Sequence, residues 1–152
     1  MFDAQPDSVP STADTAARPV ARGISLVRPA TSTLWGTDAN PVPDGARTRL
    51  VETADGVMLR AAGFPARGRA RGTVLLLQGR GDQIEKYFEV VDDLRARGFG
   101  VLAFDWRGQG GSQRLLPDPR KSHVDDFAAY RRDRSAMLGI AAGQPGPLVA
   151  LG

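Results

Sequence analysis

The sequence predicts an α/β domain in which an antiparallel hairpin precedes a β-α-β-α-β succession with a mainly parallel sheet. Three observations predict it. Three short apolar runs lack polar alternation, two amphipathic stretches separate these runs, and an Asp-Gly pair lies between two strand-like runs ahead of them. Apolar runs without alternation are typical of strands buried on both faces, as in a parallel sheet covered by helices.

The hairpin is predicted from residues 47–53 and 57–62, which flank Asp55 and Gly56. Glycine accepts the positive φ that a tight turn requires, so an Asp-Gly pair between strand-like runs is typical of a hairpin. Residues 65–72, rich in Arg and Gly, predict the loop that leads into the next strand.

Three buried strands are predicted over residues 73–77, 99–104 and 148–151. The first two enclose a helical stretch and therefore form a β-α-β unit, whose crossover we expect to be right-handed. A Pro- and Gly-containing turn over 144–147 precedes the third strand.

The first helix is predicted over residues 82–97. Its apolar residues follow at spacings of three and four and share one face: Ile84, Tyr87, Phe88, Val91 and Leu94. Asp82 and Glu85 form a capping-box pattern at its start, and Gly98 is placed as the C′ residue at its end.

The second helix is predicted from about Ser122 to Ala142, with Ser122 and Asp125 as its capping residues. The residues expected on its buried face are Phe127, Tyr130, Met137, Leu138 and Ala141.

Residues 1–45 differ from the rest of the chain. They contain six of its eleven prolines and no sustained periodicity, so we predict an irregular leader followed by a domain over 46–152. The last strand leaves an apolar edge of a kind that natural domains protect. We therefore expect the chain to be the N-terminal part of a longer protein.

Composition excludes several classes of site and partner. The chain has 152 residues, a formal net charge of +3, no cysteine and one histidine, which excludes disulfides, thiol nucleophiles and multi-histidine metal centres. Its 18 arginines and 2 lysines are scattered without aromatic partners, so we expect no nucleic-acid binding. With no apolar run of about 18 residues and no secretory signal pattern, we expect a cytoplasmic protein without an integral membrane segment.

Ligands of open α/β sheets bind beyond the carboxyl ends of the parallel strands. Here those positions hold residues 78–81, residues 105–112 and Gly152. An Asp-x-Arg-Gly-x-Gly-x-Ser motif follows the second buried strand, and its members are Asp105, Arg107, Gly108, Gly110 and Ser112.

These residues resemble the α/β-hydrolase superfamily, specifically its bacterial lysophospholipase and monoacylglycerol-lipase-like branch. The resemblance covers about residues 48–152, and residues 82–87 are similar to the start of the family's first helix. It implies the N-terminal half of that fold and a serine hydrolase of carboxylic esters, with a small-molecule ester or lipid as substrate and no cofactor. In the family, the motif is a structural turn near the site.

The resemblance also implies an oxyanion loop at Gln78, Gly79, Arg80 and Gly81. Members of the branch carry His-Gly where this chain has Gln78-Gly79, and the main-chain N–H of Arg80 is then the implied oxyanion donor. A glycine at position 79 leaves room for the substrate carbonyl. One such donor contributes about 10²–10³ in rate.

Gly152 matches the first glycine of the family's Gly-x-Ser-x-Gly nucleophile elbow, directly after a buried strand. The resemblance places the serine two residues further on and the acid and histidine later still. We therefore expect the chain to be inactive by itself.

Other hypotheses follow from weaker patterns. A triad of Ser112, Asp118 and His123 is disfavoured because triads join separate elements and because Arg114 breaks the elbow pattern. A dinucleotide loop beginning at Gly79 fails at Ile84. A non-catalytic binding module stays open, as does an epoxide hydrolase or dehalogenase of the same fold.

Overall fold

A computed structural model describes residues 30–152. The elements in chain order are β1 (Arg47–Glu52), β2 (Met58–Phe64), β3 (Gly72–Leu76), a 3₁₀ turn (Ile84–Tyr87), α1 (Phe88–Ala96), β4 (Phe99–Phe104), α2 (Ala128–Ala141) and β5 (Leu148–Leu151). No helix within residues 30–152 is long and apolar enough to cross a bilayer.

The five strands form one sheet in the order β1-β2-β4-β3-β5. The pairs β1–β2 and β2–β4 are antiparallel, whereas β4, β3 and β5 run parallel, with Val74 opposite both Val101 and Val149. The predicted hairpin and the predicted mainly parallel continuation are therefore confirmed. The prediction that the last strand is buried is wrong: all four residues of β5 are exposed, because β5 lies at the edge of the sheet and pairs only with β3 among residues 30–152. Gly56 adopts a φ of 81° in the hairpin turn, as the Asp-Gly pair indicated.

Side chains from the two faces of the sheet build two cores. On one face, Leu75, Leu102 and Phe104 pack with Met137 of α2. On the other face, Leu76, Val101 and Ala103 pack with a second cluster that includes Ile84, Phe88 and Val91. Because neighbouring strand residues point to opposite faces, strands buried on both sides appear in the sequence as unbroken apolar runs.

The first helical stretch differs from its prediction at its start. The single helix predicted over 82–97 is a 3₁₀ turn followed by α1, and neither N-cap residue, Gln83 or Tyr87, makes a side-chain capping hydrogen bond. The capping-box prediction is wrong because both carboxylates are otherwise engaged. Asp82 accepts hydrogen bonds from Lys86 and Tyr87, and Glu85 is buried against Arg60. The apolar face is confirmed, as is Gly98, with a φ of 85° after the helix.

The second helix is shorter than predicted. It begins at Ala128, and the amide of that residue donates to the Asp126 carboxylate at 2.9 Å, so the predicted Ser122–Asp125 cap is wrong. Phe127 is 72% exposed and Leu138 is 39% exposed, contrary to the predicted buried face. The buried residues are spaced by four: Ala129, Asp133, Met137 and Ala141.

The predicted leader falls partly on residues 1–29, which lie outside the described range. Within residues 30–45 there is no strand or helix, only a bridge between Thr37 and Asn40. This segment is nevertheless held on the sheet domain. The Trp35 amide and the Asn40 side chain both donate to Glu85, at 3.2 and 2.9 Å. The boundary at residue 45 stays a prediction.

Candidate functional site

The predicted site segments meet at one edge of the sheet. Residues 78–81 follow β3 and residues 105–112 follow its parallel neighbour β4. Gly152 follows β5, which lies on the other side of β3. The Leu77 amide donates to Leu151 at 2.7 Å, and a Cβ on Gly152 would lie 3.3 Å from the Leu77 carbonyl oxygen. The loop after β3 thus lies between the other two segments.

The loop over residues 78–81 presents its main chain at this edge. Gly81 adopts a φ of 90°, a conformation that a glycine accepts without strain. Within residues 30–152 the main-chain N–H of Arg80 makes no hydrogen bond, whereas its guanidinium donates to the Ser122 carbonyl at 2.9 Å. The main-chain N–H of Arg80 is therefore without a partner among the described residues, and its role as oxyanion donor stays a prediction.

Gly79 packs against the segment that follows the loop. A Cβ at this position would lie 3.1 Å from a carboxylate oxygen of Asp82, a contact closer than side chains usually make. The Asp82 carboxylate is itself held by the Tyr87 hydroxyl at 2.7 Å. The structure thus adds a second reason for a glycine here, besides room for a substrate carbonyl.

Gln78, where the resemblance leads us to expect a histidine, has an enclosed side chain. The residue is 5% exposed, and neither its Oε1 nor its Nε2 has a hydrogen-bond partner among residues 30–152. Its main-chain carbonyl accepts from the indole Nε1 of Trp106 at 2.8 Å. Gln78 is therefore anchored through its main chain and not through its side chain.

Asp105, the first residue of the motif, is the acceptor at the centre of a buried ionic cluster. Its carboxylate lies 2.6 Å from the Arg60 guanidinium and accepts the amides of Ile84 and Gly111 at 3.0 and 2.7 Å. The Arg60 guanidinium also lies 2.6 Å from the Glu85 carboxylate. The cluster joins β2, the 3₁₀ turn and the loop after β4, so it holds the framework around the site.

Arg107 forms a second ionic cluster on the other side of the same loop. Its guanidinium contacts Asp133 of α2 at 2.7 Å and Asp55 of the hairpin turn at 2.8 Å. Asp133 is fully buried, and its pairing with Arg107 explains why a charged residue lies among the apolar positions of the helix face. The predicted structural role of Arg107 is consistent with these contacts.

The remaining motif residues shape the turn. Gly108 and Gly110 have φ values of 73° and 46°, and a Cβ on Gly110 would overlap the Asp105 carboxylate. Ser112 is 2% exposed, donates to the Asp105 carbonyl at 2.6 Å and accepts the Arg60 amide at 2.8 Å. A buried hydroxyl with both roles engaged suits structure and not nucleophilic attack.

The alternative triad is not brought together. His123 Nε2 lies 2.7 Å from Asp125, and Asp118 accepts hydrogen bonds from Arg120. The Ser112 hydroxyl bonds to the main chains of Arg60 and Asp105 and to neither the histidine nor the aspartate of this triad. Among residues 30–152, no group of three potential ligands is placed to hold a metal ion.

The pKa values of three carboxyl groups near the site are shifted, and each shift has an identifiable cause. Burial raises the pKa of the Asp105 carboxyl, against the opposing charge of Arg60. The hydrogen bond from Arg107 lowers the pKa of Asp55 well below its ordinary 3.8, helped by Thr53 and Arg132. Hydrogen bonds from Lys86 and Tyr87 lower the pKa of Asp82. The Asp55 shift therefore reflects a contact that stabilises the folded chain above about pH 4.

Sequence reasoning missed the roles of several polar residues that the fold buries near the site. They are Arg60, Glu85, Trp106, Gln109, Gln113 and Asp133, all buried or half-buried. Arg60 and Asp133 interrupt apolar patterns in β2 and α2, and a charge inside a buried pattern indicates a paired side chain. Trp106 and Gln109 occupy the variable positions of the motif, where the pattern itself carries no signal.

Comparison with known proteins matches this region. Residues 68–152 match the serine aminopeptidase, S33, family. Lysophospholipase L2 of Escherichia coli K12 is 41% identical over 93 residues, which cover 61% of this chain and 27% of that protein. Probable lysophospholipase L2 of Haemophilus influenzae is 38% identical over 68 residues, covering 45% and 21%. The chain thus spans about a quarter of the length of these curated relatives.

Solved structures share the fold. A carboxyl esterase from Bacillus coagulans matches with a TM-score of 0.61 at 18% identity, over 72% of this chain and 36% of that one. Monoglyceride lipase from Saccharomyces cerevisiae matches with a TM-score of 0.55 at 24% identity, over 71% and 33%. The fold class predicted from the sequence, the N-terminal half of an α/β hydrolase, is confirmed by these matches.

Proposed function

The chain belongs to the serine aminopeptidase, S33, family of α/β hydrolases, and from that membership we propose that it forms part of a serine hydrolase of carboxylic esters. The 41% identity to a lysophospholipase supports an ester, and not a peptide, as the substrate class. Lysophospholipids and monoacylglycerols are the substrate types that fit the proposal, since both carry a single fatty acyl ester.

One observation carries the proposal: the main-chain N–H of Arg80 is unengaged within residues 30–152, at the edge where β3 and β5 end together. Attack on an ester carbonyl places negative charge on its oxygen, and a fixed N–H donor beside the nucleophile stabilises that charge. The chain enters this loop beside Gly152, where a Cβ would lie 3.3 Å from the Leu77 carbonyl oxygen. This supports the role of Arg80, because the family's nucleophile elbow begins at the position that Gly152 matches.

In the proposed reaction, some catalytic groups come from this region and others from residues that the relatives have further along their chains. This region supplies the oxyanion donor at Arg80 and the ionic framework of Asp105 and Arg107. The nucleophile, its acid and its histidine would follow Gly152 in a longer protein. No Gly-x-Ser-x-Gly sequence occurs within the 152 residues, which contain a single histidine. The chain alone is therefore proposed to be inactive.

The test compares the 152-residue chain with a protein that continues through the length of the relatives. Both are assayed with a nitrophenyl ester and with an amino-acid nitroanilide, and both are exposed to a fluorophosphonate that labels reactive serines. We expect ester hydrolysis and labelling only in the longer protein, with both lost when the serine two positions after Gly152 is replaced by alanine.

Two results would overturn the proposal. Ester hydrolysis by the 152-residue chain, lost on Ser112→Ala, would place the nucleophile within the chain. A longer protein that folds cooperatively but neither hydrolyses the ester nor reacts with the fluorophosphonate would favour a binding module. Turnover of the nitroanilide alone would replace esters with peptides as the substrate class.

A further inference from the structure

The buried side chain of Gln109 lies against the oxyanion loop. Its Oε1 accepts the main-chain N–H of Gly81 at 2.6 Å, and the residue is 2% exposed. An amide N–H can only donate, so the atom facing Gly81 is the carbonyl oxygen of the glutamine. The other end of the side chain, Nε2, donates to the Tyr130 hydroxyl of α2 at 3.3 Å. Hydrogen bonds at both ends of the Gln109 side-chain amide therefore fix its orientation.

The same loop has a second anchor at its beginning. Trp106 donates from Nε1 to the Gln78 carbonyl at 2.8 Å. Its ring packs edge-on against Phe104 and Tyr130, with centroids 4.6 and 5.1 Å apart. Gln109 and Trp106 both belong to the segment after β4, and both reach Tyr130. The loop is thus tied at its two ends to one aromatic and amide cluster.

The donor of the proposed reaction lies between these anchors. Gly79 and Gly81 make the loop intrinsically flexible, because glycine has no Cβ to restrict its backbone. A donor stabilises an oxyanion efficiently only if it is fixed before the reaction. Fixing the Gln78 carbonyl and the Gly81 N–H restrains the intervening peptide planes, including the one that carries the Arg80 N–H.

We propose that Gln109 is a positioning residue that preorganises the Arg80 oxyanion donor by accepting the N–H of Gly81. The catalytic part of this proposal rests on the proposed ester hydrolase function. The hydrogen bond between Gln109 and Gly81 does not depend on that function, because it can be measured in the 152-residue chain. Gln109 acts through the backbone and touches no reacting atom.

The chain offers a matched control in Gln113. This residue is another buried glutamine of the same loop, 5% exposed, and its Oε1 accepts the Met58 amide of the hairpin at 2.9 Å. Gln113→Leu removes an equivalent buried hydrogen bond from the framework without contacting residues 78–81. Differences between Gln109→Leu and Gln113→Leu therefore report the loop contact and not a general loss of stability.

The first measurement is amide hydrogen exchange in the 152-residue chain. Gln109→Leu should speed exchange of the Gly81 amide by about tenfold relative to Gln113→Leu, the effect of losing about 1.4 kcal/mol of protection. Gln109→Glu, which keeps an acceptor oxygen, should restore protection. Gln109→Asn, which withdraws the acceptor by one methylene, provides the same test if the leucine variant does not fold. Unchanged Gly81 exchange in the leucine and asparagine variants would overturn the proposal.

The second measurement is steady-state ester hydrolysis by the longer protein. Gln109→Leu should lower kcat about tenfold or more with little change in KM, and Gln109→Glu should recover most of the rate. An equal loss of kcat in Gln109→Leu and Gln113→Leu would overturn the positioning role. Absence of esterase activity in the unmodified protein would refute the proposed function instead, and the exchange result would still decide the Gln109 contact.

Discussion

The guanidinium of Arg60 lies 2.6 Å from the carboxylate of Asp105, and neither side chain is exposed. Removing one member of a buried ion pair leaves the other charged and without compensation, which costs about 3–5 kcal/mol. We therefore expect Arg60→Met to lower the free energy of unfolding by about that amount, measured by urea denaturation.

The control for Arg60 is an exposed ion pair. Arg97 lies 3.3 Å from Asp93, with both side chains more than half exposed. Arg97→Met should change the free energy of unfolding by no more than about 1 kcal/mol. Equal effects of the two methionine substitutions would show that the Arg60 cluster does not hold the fold together.

The buried Asp133 should be equally important for docking α2 onto the motif loop. It accepts two hydrogen bonds from the Arg107 guanidinium, at 2.9 and 2.7 Å, and its side chain has no exposed surface. Asp133→Asn keeps the volume but leaves the guanidinium without this countercharge. We expect a loss of about 3 kcal/mol in unfolding free energy. The exposed Asp125→Asn serves as control, and a loss as large there would contradict the prediction.

The fall in the free energy of unfolding at acid pH should depend on Asp55. The folded-state pKa of this carboxyl lies below the ordinary 3.8, because Arg107 donates to it. A lowered pKa stabilises the folded chain wherever the unfolded carboxyl is ionised, and this contribution is lost as pH falls below about 4. The difference in unfolding free energy between the parent chain and Asp55→Asn should be largest near neutral pH and shrink below about pH 4. A difference that is constant or grows in acid would contradict this account.

Two glycine-to-alanine substitutions should change the melting temperature in opposite directions. Gly110 has a φ of 46° and lies against the Asp105 carboxylate, so an alanine would be strained and would displace the ionic cluster. Gly139 lies within α2, and a Cβ added there would meet no heavy atom within 4 Å beyond the helix's own backbone. We expect Gly139→Ala to raise the free energy of unfolding by up to about 1 kcal/mol through helix propensity, and with it the melting temperature. Gly110→Ala should lower it, and a melting temperature that Gly110→Ala leaves unchanged would contradict the strain argument.

Local pattern predicted β3 and β4 well because both lie inside the sheet and are covered on both faces, whereas β5 has an equally apolar sequence but is exposed at the sheet edge. The apolar run at 73–77 and the Asp-Gly turn at Gly56 both reflect backbone preferences that act over a few residues. The gathering of residues 78–81 and 105–112 was predicted for a related reason, since loops after parallel strands lie at one edge. The oxyanion role of residues 78–81 came from the family resemblance and stays a prediction.

The start of the first helix was predicted poorly because a side chain from a distant residue decides it, whereas α2 is capped by Asp126, two residues before its first residue. Glu85 pairs with Arg60, 25 residues away in sequence, and is therefore not used as a capping residue. Asp133 lies on the buried face of α2 because Arg107 reaches it from another loop. Contacts of this kind join side chains across the fold, so the pattern within one segment can indicate that a charge is paired but not which residue pairs with it.

The most direct test of the central claim, that the Arg80 main chain is the oxyanion donor of an ester hydrolase, removes the N–H itself. Arg80→Pro deletes this donor, whereas Arg80→Ala keeps it and deletes only the side chain. In the longer protein, kcat for a nitrophenyl ester should be about 10²–10³ lower in Arg80→Pro than in Arg80→Ala, with similar KM. Equal kcat values in the two variants would contradict the claim.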